Sequence, residues 1–297
     1  MNVKECIKDY LVELEIRKYS TNTIRKYKLQ LNVFANWLLE NDIEDMEEIR
    51  MPVVKQYTQY LINKGLKGNS INFYLKVVKV FIKYCYDEDY GGFNPEVKKI
   101  SFVKADKPIL PTFQPKHIKM LMESCSGNSF RDVRDRTILI LFIDTGVRLA
   151  ELLSIKESDI FDDYIIITGK NKKQRMLPIT PVFKKALFRY LRAKESYFKG
   201  KITNEYLFLS YRGKRLTPSA VDKMIKERGK DIEGVRVSPH TCRHFFAQQQ
   251  IKMGTDIYTI SRLLGHENIS ITQIYLNSLQ DKDIVSIAKN NSVLMNL

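Results

Sequence analysis

Apolar residues recur every three or four positions through most of the first hundred residues, the spacing of helices that bury one face. From Val3 to Arg17 the stripe is Ile7, Leu11 and Leu14. Ser20 or Thr21 can cap the next segment, whose apolar face is Ile24, Tyr27, Leu31, Phe34 and Leu38. Pro52 suits the first turn of a third helix, and Gly65 and Gly68 punctuate the loop after it. Asn69 or Ser70 opens a fourth, apolar at Ile71, Leu75, Val78, Phe81 and Ile82. Four helices of this length predict a compact bundle. Residues 91–115 then lose the periodicity and carry several Pro, Gly and Lys, which marks a linker. The expected boundary lies near Ala105: a helical domain over 1–104, a linker over 105–114 and a second domain over 115–297.

The second domain changes pattern part-way. A helix from Pro115 to Ser124 precedes RDVRDRTILILFIDTG, whose second half is apolar enough to be buried and which Gly146 ends. VRLAELLSI begins another helix. DYIIITG and QRMLPIT, two short β-branched or alternating runs around the polar tip KNKK, predict a β-hairpin. PVFKKALFRYLRAKES is helical, LFLSYRGKRL is extended with a Gly turn, and SAVDKMIKERGK is helical again. Ser238 to Tyr275 supplies two or more helices, and the tail DKDIVSIAKNNSVLMNL a weaker one. The fold class is therefore mainly α with a small antiparallel β-sheet.

Length and composition narrow the setting. A chain of 297 residues makes one large or two ordinary domains, and 44% apolar content is that of a globular protein. No apolar run approaches the roughly 20 residues that span a bilayer. The N-terminus has scattered acids and no apolar core, unlike a secretion signal. The four cysteines lie far apart, which fits reduced thiols in a cytoplasmic setting. The net charge of +15 favours a polyanionic partner, although a basic excess also serves solubility. Its spread along the chain suggests a lined surface. Arg25, Lys26 and Lys28 fall in the first turns of the second helix, and Lys67, Asn69, Asn72 and Lys76 surround the start of the fourth. A helix N-terminus with cations and amides nearby suits phosphate contacts, though any one of these lysines is as well explained as a solvated residue.

Three of the four histidines, His240, His244 and His266, fall between Ser238 and Tyr275. His240 and Arg243 are spaced to share a helix face. A proton-transfer group, a fixed cation and the phenol of Tyr275 can thus converge, a set suited to attack by tyrosine on a phosphodiester. Each residue alone has a plainer account. Arg148 can pair with Glu151, Lys170 can be a solvated hairpin tip, His244 can be structural, and Tyr275 is one of sixteen tyrosines, most of which belong to cores. His240 and His244 also have the spacing of a zinc pair with Cys242 between them, but Thr241 stands where a metalloprotease needs Glu and no third ligand follows closely.

The combination says more than its parts. TGVRLAEL, GKNKKQRMLPIT, SPHTCRHFFA and LLGHENISITQIYL, in that order, resemble the tyrosine recombinase (phage integrase-like) family. The resemblance covers about 115–285, and the helical domain is similar to that family's core-binding, SAM-like domain. It implies that Arg148 and Arg243 are the catalytic arginines, Lys170 the hairpin lysine, His240 and His266 the catalytic histidines and Tyr275 the nucleophile, with Glu151 and His244 in support. Lys172, Lys173 and Arg175 around the hairpin tip are expected on DNA. Cys242 replaces the usual Leu, and Ile271 and Asn277 replace commoner polar or His neighbours of Tyr275.

The chemistry fits those residue types. Two guanidiniums hold a phosphate whose charge grows in the transition state. A tyrosine of pKa near ~10 needs a proton acceptor, and His240 is of the right basicity. Lys170 would protonate the 5′ leaving oxygen, and His266 would hydrogen-bond a phosphoryl oxygen. The resemblance implies a site-specific recombinase that works on double-stranded DNA through a 3′-phosphotyrosyl link, with neither cofactor nor metal, as a homo-tetramer on two duplexes and with no membrane partner. The first helix begins by residue 3, which fits a Xer-like or transposon-type enzyme without an arm-binding domain. The tail after Lys282 is expected to dock on a neighbouring copy. The rival readings are a type IB topoisomerase-like enzyme and a non-catalytic DNA-binding protein.

Overall fold

A computed structural model describes residues 1–96, 99–105, 111–169 and 173–276. The chain divides into two compact units, Met1–Pro108 and Ile109–Leu297. Among the described residues no helix is long and apolar enough to cross a membrane.

The first unit contains helices α1 (Val3–Ile16), α2 (Thr21–Leu39), α3 (Met51–Asn63) and α4 (Gly68–Asp87). Asn2 caps α1 by accepting from Lys4 N, and Ser20 caps α2 by accepting from Thr23 N. The predicted stripes meet in one core: Ile7 and Leu14, then Leu31, Phe34 and Leu38, then Ile71, Leu75, Val78, Phe81 and Ile82 are all buried. Leu11, Ile24 and Tyr27 flank that core half-buried.

The stretch that reads as a linker is in part built into this unit. Phe93 and Ile100 are buried in its core, an apolar contribution too sparse to show as periodicity. The Asn72 amide grips Val103 at both ends, donating to its carbonyl at 2.9 Å and accepting from its N–H at 2.8 Å. The fourth helix begins at Gly68, earlier than Asn69 or Ser70, with residues 104 and 105 laid against it.

The second unit contains α5 (Pro115–Glu123), α6 (Phe130–Thr145), α7 (Leu149–Leu152), strands β1 (Tyr164–Thr168) and β2 (Gln174–Pro178), α8 (Pro181–Tyr197), α9 (Pro218–Arg228), α10 (Pro239–Lys252), α11 (Ile257–Leu264) and α12 (Ser270–Gln273). The strands form a two-stranded antiparallel hairpin in which Ile165 faces Leu177 and Ile167 faces Arg175. Thus the fold is mostly helical with one small sheet. Helix α6 is the spine, packed against α8 and α10. Its Ile138, Leu139, Ile140, Leu141 and Phe142 are all buried, as the apolar run predicts. VRLAELLSI begins a helix as expected, the short α7. Lys170 and Lys172 of the hairpin tip, Asn277 and the tail expected to dock on a neighbour lie outside the described residues.

Candidate active site

Two glycines let the second unit's helices close on one point. Gly146 ends α6 with φ +60°, and a Cβ there would lie 2.6 Å from the Phe246 ring and 2.8 Å from a Leu264 methyl. Only glycine permits both the left-handed turn and this approach of α10 and α11. Gly265 ends α11 in the same conformation, φ +65°, with the Arg175 side chain passing 3.0 Å from where a Cβ would stand.

The end of α11 gathers three arginines. Arg175 Nε donates to the Leu263 carbonyl at 2.9 Å, Arg243 Nη2 to the Leu264 carbonyl at 2.8 Å and Arg148 Nη2 to the Gly265 carbonyl at 2.9 Å. A helix C-terminus leaves carbonyls unpaired and carries partial negative charge, so it is a natural seat for cations. Arg243 is buried and also donates to the carbonyl of Gly146 at 2.7 Å. Burial, and then the charge of Arg148, lower its pKa to about 10, which leaves it a cation at neutral pH. Arg148, at the start of α7, is 40% exposed in its side chain and keeps N–H groups open to a ligand.

One carboxylate answers these charges. Glu151 is 4% exposed. It takes a two-pronged bond from Arg175 at 2.9 and 2.9 Å, and bonds from Arg148 Nη1 and the Arg148 backbone N–H, both also at 2.9 Å. Burial pushes its carboxyl up, but Arg175 and then Arg148 outweigh burial and hold it below the usual range.

His266 follows this turn. Its Nε2 lies 2.8 Å from Arg243 Nη2 and its Nδ1 2.7 Å from Thr272 Oγ. A guanidinium only donates, so Nε2 accepts, and the ring proton sits on Nδ1 and is donated to Thr272. Burial first, then Arg243, Arg148 and Arg175, lower the His266 pKa to about 4, in keeping with a neutral ring. The His266 nitrogen expected to hydrogen-bond a phosphoryl oxygen is engaged in the free protein, by Arg243.

Tyr275 completes the cluster from its own chain. Its ring is buried, edge-on to His244 at 5.0 Å between centroids and stacked on His266 at 6.3 Å. His244 lies between Tyr275 and His240, whose ring is exposed and 6.5 Å from that of His244. Burial, and then His240 and Arg243, lower the His244 pKa. Ser238 caps α10 with Pro239 in its first turn, which puts His240 at the exposed end and Arg243 one turn in, at the buried junction. Cys242 is fully buried in the main apolar core rather than beside the histidines. Among the described residues no group of three or more His, Cys, Asp or Glu side chains is placed to hold a metal.

Residues 111–282 match the phage integrase family, and residues 7–89 match the N-terminal SAM-like domain of phage integrases. The chain belongs to the phage integrase family. This tyrosine recombinase is 31% identical to tyrosine recombinase XerC of Bacillus licheniformis, over 94% of each chain. It is 29% identical to tyrosine recombinase XerD of Staphylococcus aureus, over 91% of this chain and 92% of the relative. Its fold matches that of a lambda integrase dimer bound to a core site, with a TM-score of 0.76 at 17% identity, over 95% of this chain and 97% of the other.

The residues expected on DNA divide in two. Arg25, Lys26, Lys28, Lys67, Asn69 and Lys76 are exposed on the first unit of the recombinase, and Lys173 is exposed on the second, 3.3 Å from Glu267. Asn72 and Arg175 are corrected: both polar groups are already spent, on Val103 and on Glu151 with the Leu263 carbonyl. Sequence reasoning missed three features of the site. Thr272, which orients His266, carries only the weak signal of standing three residues before Tyr275. The ladder of carbonyls on α11 has no side-chain signature. The inward turn of Arg175 leaves a trace in the pattern, since Met176 points out at 65% exposure while Leu177 is buried.

Proposed function

We propose that this recombinase cuts and rejoins double-stranded DNA at a specific site through a 3′-phosphotyrosyl intermediate, to move or resolve the DNA that carries that site. What supports the reading is the convergence of Arg148, Arg243, His266 and Tyr275 on the end of α11. Arg148 and Arg243 bind the non-bridging oxygens of the scissile phosphate and stabilise the charge that grows there. The phenolic oxygen of Tyr275 attacks phosphorus and its proton passes to His240, with His244 packed between the two rings. Lys170 protonates the departing 5′ oxygen. The ester conserves the bond energy, and a second 5′-hydroxyl reverses the step, so no nucleotide cofactor is consumed. The phosphate takes the place of Arg243 on His266, whose neutral ring shifts its proton from Nδ1 to Nε2, so that Nδ1 accepts from the Thr272 hydroxyl and Nε2 donates to the phosphate.

The nucleophile acts in cis, since its ring already packs on His244 and His266 of the same chain. Exchange between two duplexes needs four such sites, hence a homo-tetramer, with residues 283–297 docking on a neighbour. The first unit, through Arg25, Lys26, Lys28, Lys67, Asn69 and Lys76, and the second, through Lys172 and Lys173, contact the backbone, and affinity falls steeply with salt.

The test begins by footprinting the protein on DNA flanking its own coding sequence, then places that site in a nicked suicide duplex. The wild type is expected to leave a covalent adduct in a denaturing gel, and Tyr275→Phe to bind the duplex but leave none. Adduct formed by Tyr275→Phe would overturn the assignment. Relaxation of supercoiled DNA lacking the site would instead mark a topoisomerase. Arg148→Ala should raise the cleavage barrier by about 3 kcal/mol, as for loss of an oxyanion donor. In cis, mixing Tyr275→Phe with Arg148→Ala restores no cleavage.

A further inference from the structure

Arg175 was expected to touch DNA, yet its guanidinium faces inward, 15% exposed in its side chain. It stands on β2 opposite Ile167, on the strand that returns from the hairpin tip. From there it reaches the Leu263 carbonyl and forks both oxygens of Glu151. A Cβ on Gly169, the residue before Lys170, would stand 3.4 Å from the same carboxylate. One side chain thus ties the base of the hairpin, the acid beneath Arg148 and the turn that leads to His266.

The charges show what this does. Glu151 has two cationic neighbours, Arg148 and Arg175. A buried carboxylate takes as many N–H bonds as geometry allows, and a planar guanidinium supplies two in parallel. With Arg175 holding one oxygen through each prong, Arg148 gives the acid a single side-chain bond, from Nη1, and spends another on the Gly265 carbonyl. Its remaining N–H groups stay available. Without Arg175 the acid has only Arg148, and a two-pronged Arg148–Glu151 pair is the best bond left to it. That pair takes the guanidinium away from the phosphate.

Resting on the function proposed above, we propose that Arg175 is a positioning residue for cleavage: it satisfies Glu151 so that Arg148 stays open to the scissile phosphate. Arg175 touches no DNA. Its contribution falls on the chemical step and not on binding, because the exposed backbone-binding cations are elsewhere.

The experiment is single-turnover cleavage of the nicked suicide duplex, with half-site binding and thermal unfolding measured on each variant. Arg175→Gln is expected to cleave about 10–100-fold more slowly, the usual cost of losing a group that orients a reacting one, while binding changes by less than about 2-fold. Arg175→Lys keeps the charge without the fork and should fall between Arg175→Gln and the wild type, and it serves as the reading if Arg175→Gln is too unstable. The deciding measurement is rescue. Glu151→Gln combined with Arg175→Gln removes the acid that captures Arg148, so the double variant should cleave faster than Arg175→Gln alone. A scaffold role predicts no such gain. Wild-type cleavage by either Arg175 variant, or a double variant no faster than Arg175→Gln, would overturn the inference. Neither result touches the broader reading, which fails only if Tyr275→Phe still forms adduct.

Discussion

Tyrosine and cysteine aside, every buried polar or charged side chain among the described residues lies in the second unit, from His117 to Thr272, while the first unit's interior is built on Leu31, Phe34, Leu38, Leu61, Leu75 and Phe81. The first unit follows from helical stripes closing on each other. It still holds polar contacts, such as the hydroxyls of Tyr84 and Tyr90 on Asp9, but these are part-buried. The second unit buries Arg134 with Asp135, Glu151 against Arg148 and Arg175, and Lys194 and Arg243 against backbone carbonyls. Burying charge is costly unless each group is paired. On the function proposed above, a unit that presents two guanidiniums to a phosphate accepts that cost, and a unit that only offers an outer surface need not.

The largest effect that would break this contrast comes from one carboxylate. Asp135 is fully buried and receives Arg134 at 3.1 and 2.8 Å and Arg228 at 3.1 and 2.8 Å. Asp135→Ala leaves the Arg134 guanidinium without its acid and Arg228 with Asp132 alone, and should cost about 3–5 kcal/mol. Phe34→Ala, an apolar truncation in the other core, should cost about as much for a different reason, a cavity. The two are separable because the single tryptophan, Trp37, is buried in the first unit. Urea unfolding followed by Trp37 fluorescence should shift with Phe34→Ala and hold with Asp135→Ala. Circular dichroism should shift with both. A Trp37 transition that moves with Asp135→Ala would show that the two units do not melt separately.

The same contrast explains what the sequence made legible. Stripes at Leu31, Phe34 and Leu38 are visible because burial there depends on residue type alone. The hairpin is visible from Ile165, Ile166 and Ile167 against a polar tip, and the site from four short motifs in order. The charged start of α6, RDVRDR, carries no apolar run, yet Arg134 and Asp135 are buried because Arg228 and the Leu209 carbonyl come from far along the chain. Lys194 belongs to the polar face of α8 by pattern, and is buried because Glu157 and the carbonyls of Tyr206 and Leu207 meet its ammonium. Arg175 and Asn72 were assigned outward for the same reason. Long or amide side chains score as polar wherever they point, and only the fold supplies the partner that lets them turn in.

A smaller effect tests the charge network by pH. The ordinary His266 value of 6.5 falls to about 4 in the folded protein, through burial and through Arg243, Arg148 and Arg175, with Glu151 opposing. The unfolded chain therefore binds the extra proton between those values, and stability falls as pH drops from about 6.5 towards 4. All four histidines, His117, His240, His244 and His266, lie in the second unit. Between pH 7 and 5 the circular-dichroism midpoint should fall more than the Trp37 midpoint, and His266→Gln should narrow that gap. An equal fall in both signals would remove His266 as the cause.

The smallest effect runs the other way and belongs to the first unit. The Tyr57 hydroxyl is buried with no hydrogen-bond partner, its ring in the core against Phe34 and Trp37. An unpaired buried hydroxyl costs about 1–3 kcal/mol, so deleting it without changing the ring's shape should be neutral or stabilising. In the second unit the matching deletion should do harm, because Tyr190 is equally buried but donates to the Leu207 carbonyl at 2.9 Å and accepts from Leu209 N at 3.3 Å. Tyr57→Phe should therefore raise the Trp37 midpoint or leave it unchanged, while Tyr190→Phe lowers the circular-dichroism midpoint, a loss of about 1–2 kcal/mol in unfolding free energy. If Tyr57→Phe destabilises instead, the first core does rely on a polar contact, and the contrast between the units narrows to the charged groups alone.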